Sequence, residues 1–169
     1  VGQEQLRELL EPQAIADVEA DLQGLSPERR ARHADAVHDL LRRVGDLTPE
    51  EVQARVDGDA AALLAELADR GRALVVRLAH EERWIAVEDA AKIRDALGVV
   101  LPAGVAAAFL GAAEKPLEAL VARWARTHGP FAADGRDPAR RFGLAPAPLA
   151  PVLRALVGDG RLYAGEFRP

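Results

Sequence analysis

The sequence contains no cysteine and no methionine, and aromatic residues make up only 4% of it. The absence of cysteine excludes disulfides, thiolate nucleophiles, iron–sulfur ligation and cysteine-type zinc sites. His33 and His38 lie five positions apart with no carboxylate to complete a zinc site, so we expect no metal. No run of eighteen apolar residues occurs, and the first residues lack the pattern of a secretory signal. We therefore expect a cytoplasmic protein without a membrane partner, and a chain that is part of something longer.

What is present is enough for a folded core. The 169 residues are 49% hydrophobic and 29% charged, which predicts one domain or two small ones. The net charge of −5 is unevenly distributed: residues 1–95 carry 21 acidic and 13 basic side chains, whereas residues 96–169 carry 6 and 9. Only the second part has the positive balance that attracts phosphate.

Hydrophobic periodicity predicts a winged helix in residues 33–102, after a helical lead-in over residues 1–32. A helix ending at Gly45 is followed by a second with Thr48 as N-cap and Glu51 as capping-box partner, and by a third from about Asp59. The period then changes to two over residues 74–86, which predicts a hairpin with a polar turn at residues 80–82. A trailing helix over residues 88–97 and an extended linker complete this unit.

The same order of elements recurs in residues 103–169. The apolar spacing of Leu117 and its successors repeats the first helix, and a short second helix is expected near residues 138–142, with Asp137 as its cap. A third helix is expected to end at residues 158–160 and to lead into a truncated wing containing Phe167. We therefore predict a mainly α fold with small β-hairpins (α+β), built as tandem winged helix-turn-helix domains.

No enzyme motif accompanies this fold. The phosphate-binding loop G-x-x-x-x-G-K-[ST], the dinucleotide fingerprint, H-E-x-x-H and G-x-S-x-G are all missing, and Ser26 is the only serine. The third helices are also poor candidates for reading bases, because the first is acidic and the second offers only Arg154. We expect this chain to hold no catalytic residue, no metal and no cofactor.

Contact with a nucleic-acid backbone is the hypothesis that survives. Trp124 has the spacing of a core residue, whereas Trp84 could be either a packed side chain or a stacking platform. The alternative for the arginines is that they are solvated or pair with carboxylates. The candidate nucleic-acid-binding residues are Arg72, Arg77, Arg83, Trp84, Arg136, Arg140, Arg141, Arg161 and Arg168.

Several stretches resemble the Lhr (large helicase-related) proteins, bacterial ATP-dependent DNA helicases of superfamily 2. They cover nearly the whole chain and read LRELL (6–10), ERWIAVEDA (82–90), RDALGV (94–99), LVAR (120–123), ARTHGPF (125–131) and EFRP (166–169). The pattern departs from the family at residues 134–138, which puts the start of the second helix there in doubt.

The resemblance implies a parent that moves 3′ to 5′ on single-stranded DNA in DNA repair, with ATP and Mg²⁺ bound in motor domains elsewhere. It implies that this chain begins a C-terminal region of tandem winged helices that assembles into oligomers and resembles DNA glycosylases. Two functions are expected with equal weight: weak, sequence-independent binding of single-stranded or duplex DNA, or a structural module that contacts the parent's other domains or forms a homo-oligomer. A glycosylase within the chain itself is the least favoured alternative.

Overall fold

The computed structural model describes residues 11–165 and consists of helices and one two-stranded sheet. In chain order, the first half contains α1 (Pro12–Leu22), α2 (Ala34–Val44), α3 (Pro49–Gln53), α4 (Ala60–Asp69), β1 (Ala73–Leu78), β2 (Glu81–Ala86) and α5 (Ala90–Leu97). The second half contains α6 (Pro116–Thr127), α7 (Arg136–Arg141) and α8 (Leu149–Gly158). Short 3-10 turns lie at Pro27–Arg29, Val87–Asp89 and Ala107–Phe109.

The local signals in the first half are confirmed. Thr48 caps α3 in a capping box with Glu51, and the Asp59 side chain accepts a hydrogen bond from the Ala62 N–H at the start of α4. Gly45 ends α2 with a φ of 103°. Three helices followed by an antiparallel hairpin confirm the α+β winged-helix fold. The predicted helix before Pro12 and the predicted wing residue Phe167 lie outside the described residues.

The hairpin turn differs from the sequence prediction. It is formed by Ala79 and His80, and the expected turn residues Glu81 and Glu82 already belong to β2. Ala79 and His80 both have positive φ, 51° and 66°, as a two-residue type I′ turn requires to match the twist of the strands. Neither residue is the Asn or Gly that usually signals such a turn, so composition placed it too late in the chain.

The start of α7 is the second correction. The helix begins at Arg136 after Gly135, and Asp137 lies in its first turn, so Asp137 is not the N-cap. Gly135 adopts a left-handed conformation against α8, where a Cβ would lie 3.2 Å from Leu153 Cδ1. Tertiary packing therefore determines where this helix starts.

The third helices of the two halves end in the same way. Gly71 and Gly160 have φ values of 67° and 71°, and the next residue donates its N–H to a carbonyl five positions back, Arg72 to Leu67 and Arg161 to Leu156. The same turn also ends α1 at Gly24 and α7 at Gly143, so it is a common helix end in this chain and does not by itself mark the repeat. After Arg72 the chain enters β1, whereas residues 161–165 form no strand.

The hairpin separates two hydrophobic cores and belongs to both. Trp84 and Ala86 face the first core, formed by α2, α3 and α4. Val76, Leu78 and Ile85 point to the opposite face and join the second core, formed with α5, α6, α7 and α8. The wing is thus covered on both sides, which brings some of its side chains into the interior. The predicted division at residues 102 and 103 remains a prediction.

Candidate nucleic-acid interface

Arg83 lies in the interior between the two halves of the chain. Its side chain is only 4% exposed, because β2 turns it to the face that the second half covers. Its Nη1 lies 2.7 Å from Asp46 Oδ2 and also donates to the Arg141 carbonyl, while its Nη2 lies 2.8 Å from Glu81 Oε1. These bonds satisfy the guanidinium and leave it no access to a phosphate at the surface.

Arg141 joins the same buried group from the end of α7. Its Nη1 and Nη2 lie 2.9 and 3.0 Å from the two carboxylate oxygens of Glu51, a bidentate pair, and Nη2 also donates to the Asp46 carbonyl. Burial alone would raise the pKa of Glu51, but hydrogen bonds from Arg141 and the Thr48 N–H hold it below its usual value. Arg141 therefore links α7 to α3.

Two further arginines complete this boundary, and the sequence did not single them out. Arg123 is 8% exposed on α6, and its Nη1 lies 2.8 Å from Asp89 Oδ2. Arg55 donates to the Gln23 carbonyl at 2.7 Å, and the Gln23 amide in turn donates to the Thr127 carbonyl. Helical spacing could have predicted the burial of Arg123, because Arg123 follows Leu120 by three residues and so lies on the apolar face of α6. We call Asp46, Glu51, Arg55, Arg83, Asp89, Arg123 and Arg141 the polar seam.

Arg72 and Arg136 are also engaged, although nearer the surface. Arg72 forms an ion pair with Asp35 and lies 3.1 Å from His38 Nδ1, so it fastens the start of the hairpin to α2. The hydrogen bond from Arg72 lowers the pKa of the Asp35 carboxyl. Arg136 pairs with Asp134 within its own loop at 2.6 Å and remains exposed.

Three of the predicted arginines remain exposed without a carboxylate partner among residues 11–165. Arg77 is exposed near the end of β1, on the strand face that also carries Val75, and it donates only to the His80 carbonyl, at 3.2 Å. Arg140 lies at the end of α7, and Arg161 follows α8. Arg168 lies outside the described residues. Phosphate could reach these three cations without opening the fold.

Arg77 and Arg140 are on elements that touch each other. Gly143, just after α7, packs so closely on the hairpin turn that a Cβ there would lie 3.0 Å from Ala79 Cα. Arg77 is two residues before that turn, and Arg140 is three residues before Gly143. The wing of the first half and the second helix of the second half therefore each carry one of these exposed cations within three residues of their contact.

The two tryptophans have different environments. Trp124 is 8% exposed, stacks on His128 with ring centroids 4.1 Å apart and meets the edge of Phe131, so its predicted place in the core is confirmed. Burial lowers the pKa of His128, although a hydrogen bond to the Trp124 carbonyl opposes the shift. Trp84 is half-buried against the first core.

Residues 8–112 match the family model described as the winged-helix domain of large helicase-related protein. The "Lhr helicase/ probable uracil glycosylase" of Mycolicibacterium smegmatis is 45% identical over 168 residues, which is 99% of this chain. The chain belongs to the Lhr family. The "Lhr helicase/uracil glycosylase" of Escherichia coli is 36% identical over 95% of the chain. The chain spans about a tenth of the length of these Lhr relatives, 11% and 10%.

The Lhr family model ends before α6, so it covers the first half and the linker. The relatives extend the similarity through the second half and hence across the polar seam. Among residues 11–165 no group of three or more histidine, aspartate or glutamate side chains could hold a metal ion, and no helix is long and apolar enough to cross a membrane.

Proposed function

We propose that this Lhr segment is a non-catalytic accessory part of an ATP-dependent 3′–5′ DNA helicase that acts in DNA repair in the bacterial cytoplasm. Its role is weak, sequence-independent binding of single-stranded or duplex DNA beside the remaining domains of the helicase. The phosphate-binding loop is absent from residues 1–169, so we assign ATP and Mg²⁺ to motor domains elsewhere in the longer protein.

One observation supports this role: Arg77, Arg140 and Arg161 are exposed and have no carboxylate partner among the described residues. Unpaired surface arginines bind backbone phosphates and release counterions without reading sequence. Arg83 and Arg141 are removed from the proposed set, because the polar seam already satisfies their guanidinium groups. Few cations and a net charge of −5 explain why we expect weak binding.

The test is a fluorescence-anisotropy titration of the chain against labelled single-stranded and duplex DNA. We expect the triple variant Arg77→Glu, Arg140→Glu, Arg161→Glu to lose saturable binding, because three phosphate contacts become repulsive. For three contacts to a single strand, log K should fall against log salt with a slope of about −2.

The matched control changes charge equally on a different surface. Arg30, Arg32 and Arg70 are exposed but already paired, the first two with Asp57 and the third with Glu66. Reversing these three to Glu should leave most binding intact. Equal losses in the two triple variants, or no binding by the wild-type chain at tens of micromolar, would overturn the proposal.

A second candidate is a structural or oligomerisation module with no direct DNA contact. The polar seam favours this structural role. Most of the buried charged groups hold the two halves of the chain together and do not face solvent. Concentration-dependent association in sedimentation velocity, without a shift in the DNA titration, would support this candidate over the first.

A further inference from the structure

An open groove lies on the face of the first half formed by α3 and α4, away from the polar seam. Its volume is about 580 Å³. Leu64 is buried at its base and the half-buried ring of Trp84 forms one wall. Its lining residues are Pro49, Glu50, Gln53, Ala60, Ala61, Leu64, Ala65, Ala68, Asp69 and Trp84.

The α4 wall of the groove is unusually smooth. Ala61, Ala65 and Ala68 are exposed at helical spacing and carry only methyl groups, so another backbone can approach α4 closely. The Trp84 indole N–H makes no hydrogen bond within residues 11–165 and is free to donate to an incoming acceptor. Small apolar side chains beside an aromatic wall fit a packed helix better than a solvated loop.

The polar groups of the groove are acidic. Glu50 and Asp69 are exposed and form no ion pair within the described part of the chain, whereas the neighbouring Arg70 is held by Glu66 at 3.0 Å. The Gln53 amide is occupied by the Gly58 carbonyl and the Ala60 N–H. The groove therefore presents two unpaired carboxylates beside apolar surface.

The negative charge of the groove argues against DNA, which is the usual ligand of the third helix in a winged-helix domain. In DNA-binding winged helices the third helix enters the major groove, but here α4 carries Asp59, Glu66 and Asp69 around alanines, a surface that repels phosphate. An apolar groove with an acidic rim is instead complementary to a cationic amphipathic helix of a protein.

We propose that the groove between α3 and α4 binds a basic amphipathic helix of a protein partner. Aliphatic side chains of that helix pack on Trp84 and on the exposed alanines of α4, and flanking Arg or Lys side chains pair with Glu50 and Asp69. This interaction is independent of the DNA binding proposed above, since none of Arg77, Arg140 and Arg161 lines the groove.

The probe is a fluorescein-labelled peptide of about eighteen residues, long enough for five helical turns, with Leu along one face, Arg on both flanks and Ala elsewhere. We expect saturable binding to the full chain. A scrambled peptide of identical composition, which destroys the apolar face, and a peptide with every Arg changed to Glu should each bind at least about tenfold more weakly.

Two substitutions locate the site. Ala65→Arg places a long cationic side chain in the groove and should weaken peptide binding by at least about tenfold, whereas Ala155→Arg on the exposed face of α8 is the matched control and should not. Both positions are exposed on helices and Arg is a good helix former, so circular dichroism should show unchanged folding. The pair Glu50→Lys with Asp69→Lys should also weaken binding and reduce its dependence on salt.

Several outcomes would overturn the proposal. They are no binding by the wild-type chain, equal binding of the scrambled peptide, or an equal effect of Ala65→Arg and Ala155→Arg. Quenching of the Trp84 fluorescence of a Trp124→Phe variant by duplex DNA would also overturn it, because it would assign the groove to nucleic acid. The triple arginine variant of the DNA test should bind the peptide as the wild type does, so the two proposals succeed or fail separately.

Discussion

At the scale of single residues, arginine has two separate uses in this chain. Arg83, Arg123 and Arg141 lie in the polar seam, where carboxylates and carbonyls satisfy their planar guanidinium groups. Arg77, Arg140 and Arg161 extend into solvent. The difference comes from which face of an element the other half of the chain covers.

Arg83→Met should lower the free energy of unfolding by about 3–5 kcal/mol, because it leaves the buried Asp46 carboxylate without its closest cation. Adding Asp46→Asn should recover part of the loss, because the one remaining cation, Arg141, lies farther from the buried carboxylate, with its Nε 3.4 Å from Asp46 Oδ2. Urea unfolding followed by circular dichroism measures both effects.

The control for this prediction is Arg70→Met. Arg70 forms an exposed pair with Glu66 across one helical turn, and such a pair contributes only about 0.3–0.5 kcal/mol. An Arg83→Met variant no less stable than Arg70→Met would show that the seam pair contributes little net stability.

At the scale of elements, α4, α7 and α8 all end in the same left-handed glycine turn, but only the glycine that ends α7 is packed against another element. Gly71 and Gly160 have open space where a Cβ would be, whereas Gly143 is pressed against Ala79 of the hairpin turn. The three glycines have φ values between 66° and 71°, so backbone strain is nearly equal among them.

Gly143→Ala should therefore destabilise the chain more than Gly71→Ala or Gly160→Ala. All three substitutions carry the left-handed strain of about 1–2 kcal/mol, and only Gly143→Ala adds a contact with backbone atoms that cannot move aside. Thermal unfolding of the three variants measures the difference. Equal losses of stability in the three variants would mean that the contact between α7 and the hairpin can open at little cost in free energy.

At the scale of the whole molecule, the hairpin makes the two halves depend on each other. Val76, Leu78 and Ile85 belong to the winged helix of the first half, yet they complete the core of the second. The polar seam adds ion pairs across the same boundary, including Arg123 with Asp89 and Arg141 with Glu51. The second core loses these hairpin residues if the first half unfolds, and the same hairpin face becomes exposed to solvent if the second half unfolds.

We therefore expect one cooperative unfolding transition. The chain has two tryptophans, one beside each core, so Trp84→Phe leaves a probe of the second core and Trp124→Phe a probe of the first. In each variant, the fluorescence and circular-dichroism midpoints in urea should coincide. Separate midpoints within either variant would indicate two independently folding units.

The sequence by itself determined most of the helices, the Thr48 cap and the winged-helix order, but not the start of α7. These features depend on contacts between residues close in the chain, such as the Thr48 capping box, and on the spacing of apolar residues. Apolar spacing also placed Trp124 in the core. The family was indicated separately, by the resemblance of stretches such as residues 82–90 and 94–99 to Lhr proteins.

Only the tertiary structure decided which arginines are free. The alternation of β2 put Arg83 opposite Trp84, but the sequence does not show that the second half would cover the Arg83 face. Likewise, Asp46 and Glu51 lie 95 and 90 residues from Arg141, and no periodicity signals such a distant pair. Burial of a charged group is set by what packs over it, so long-range packing separated the polar seam from the exposed cations of the proposed DNA-binding surface.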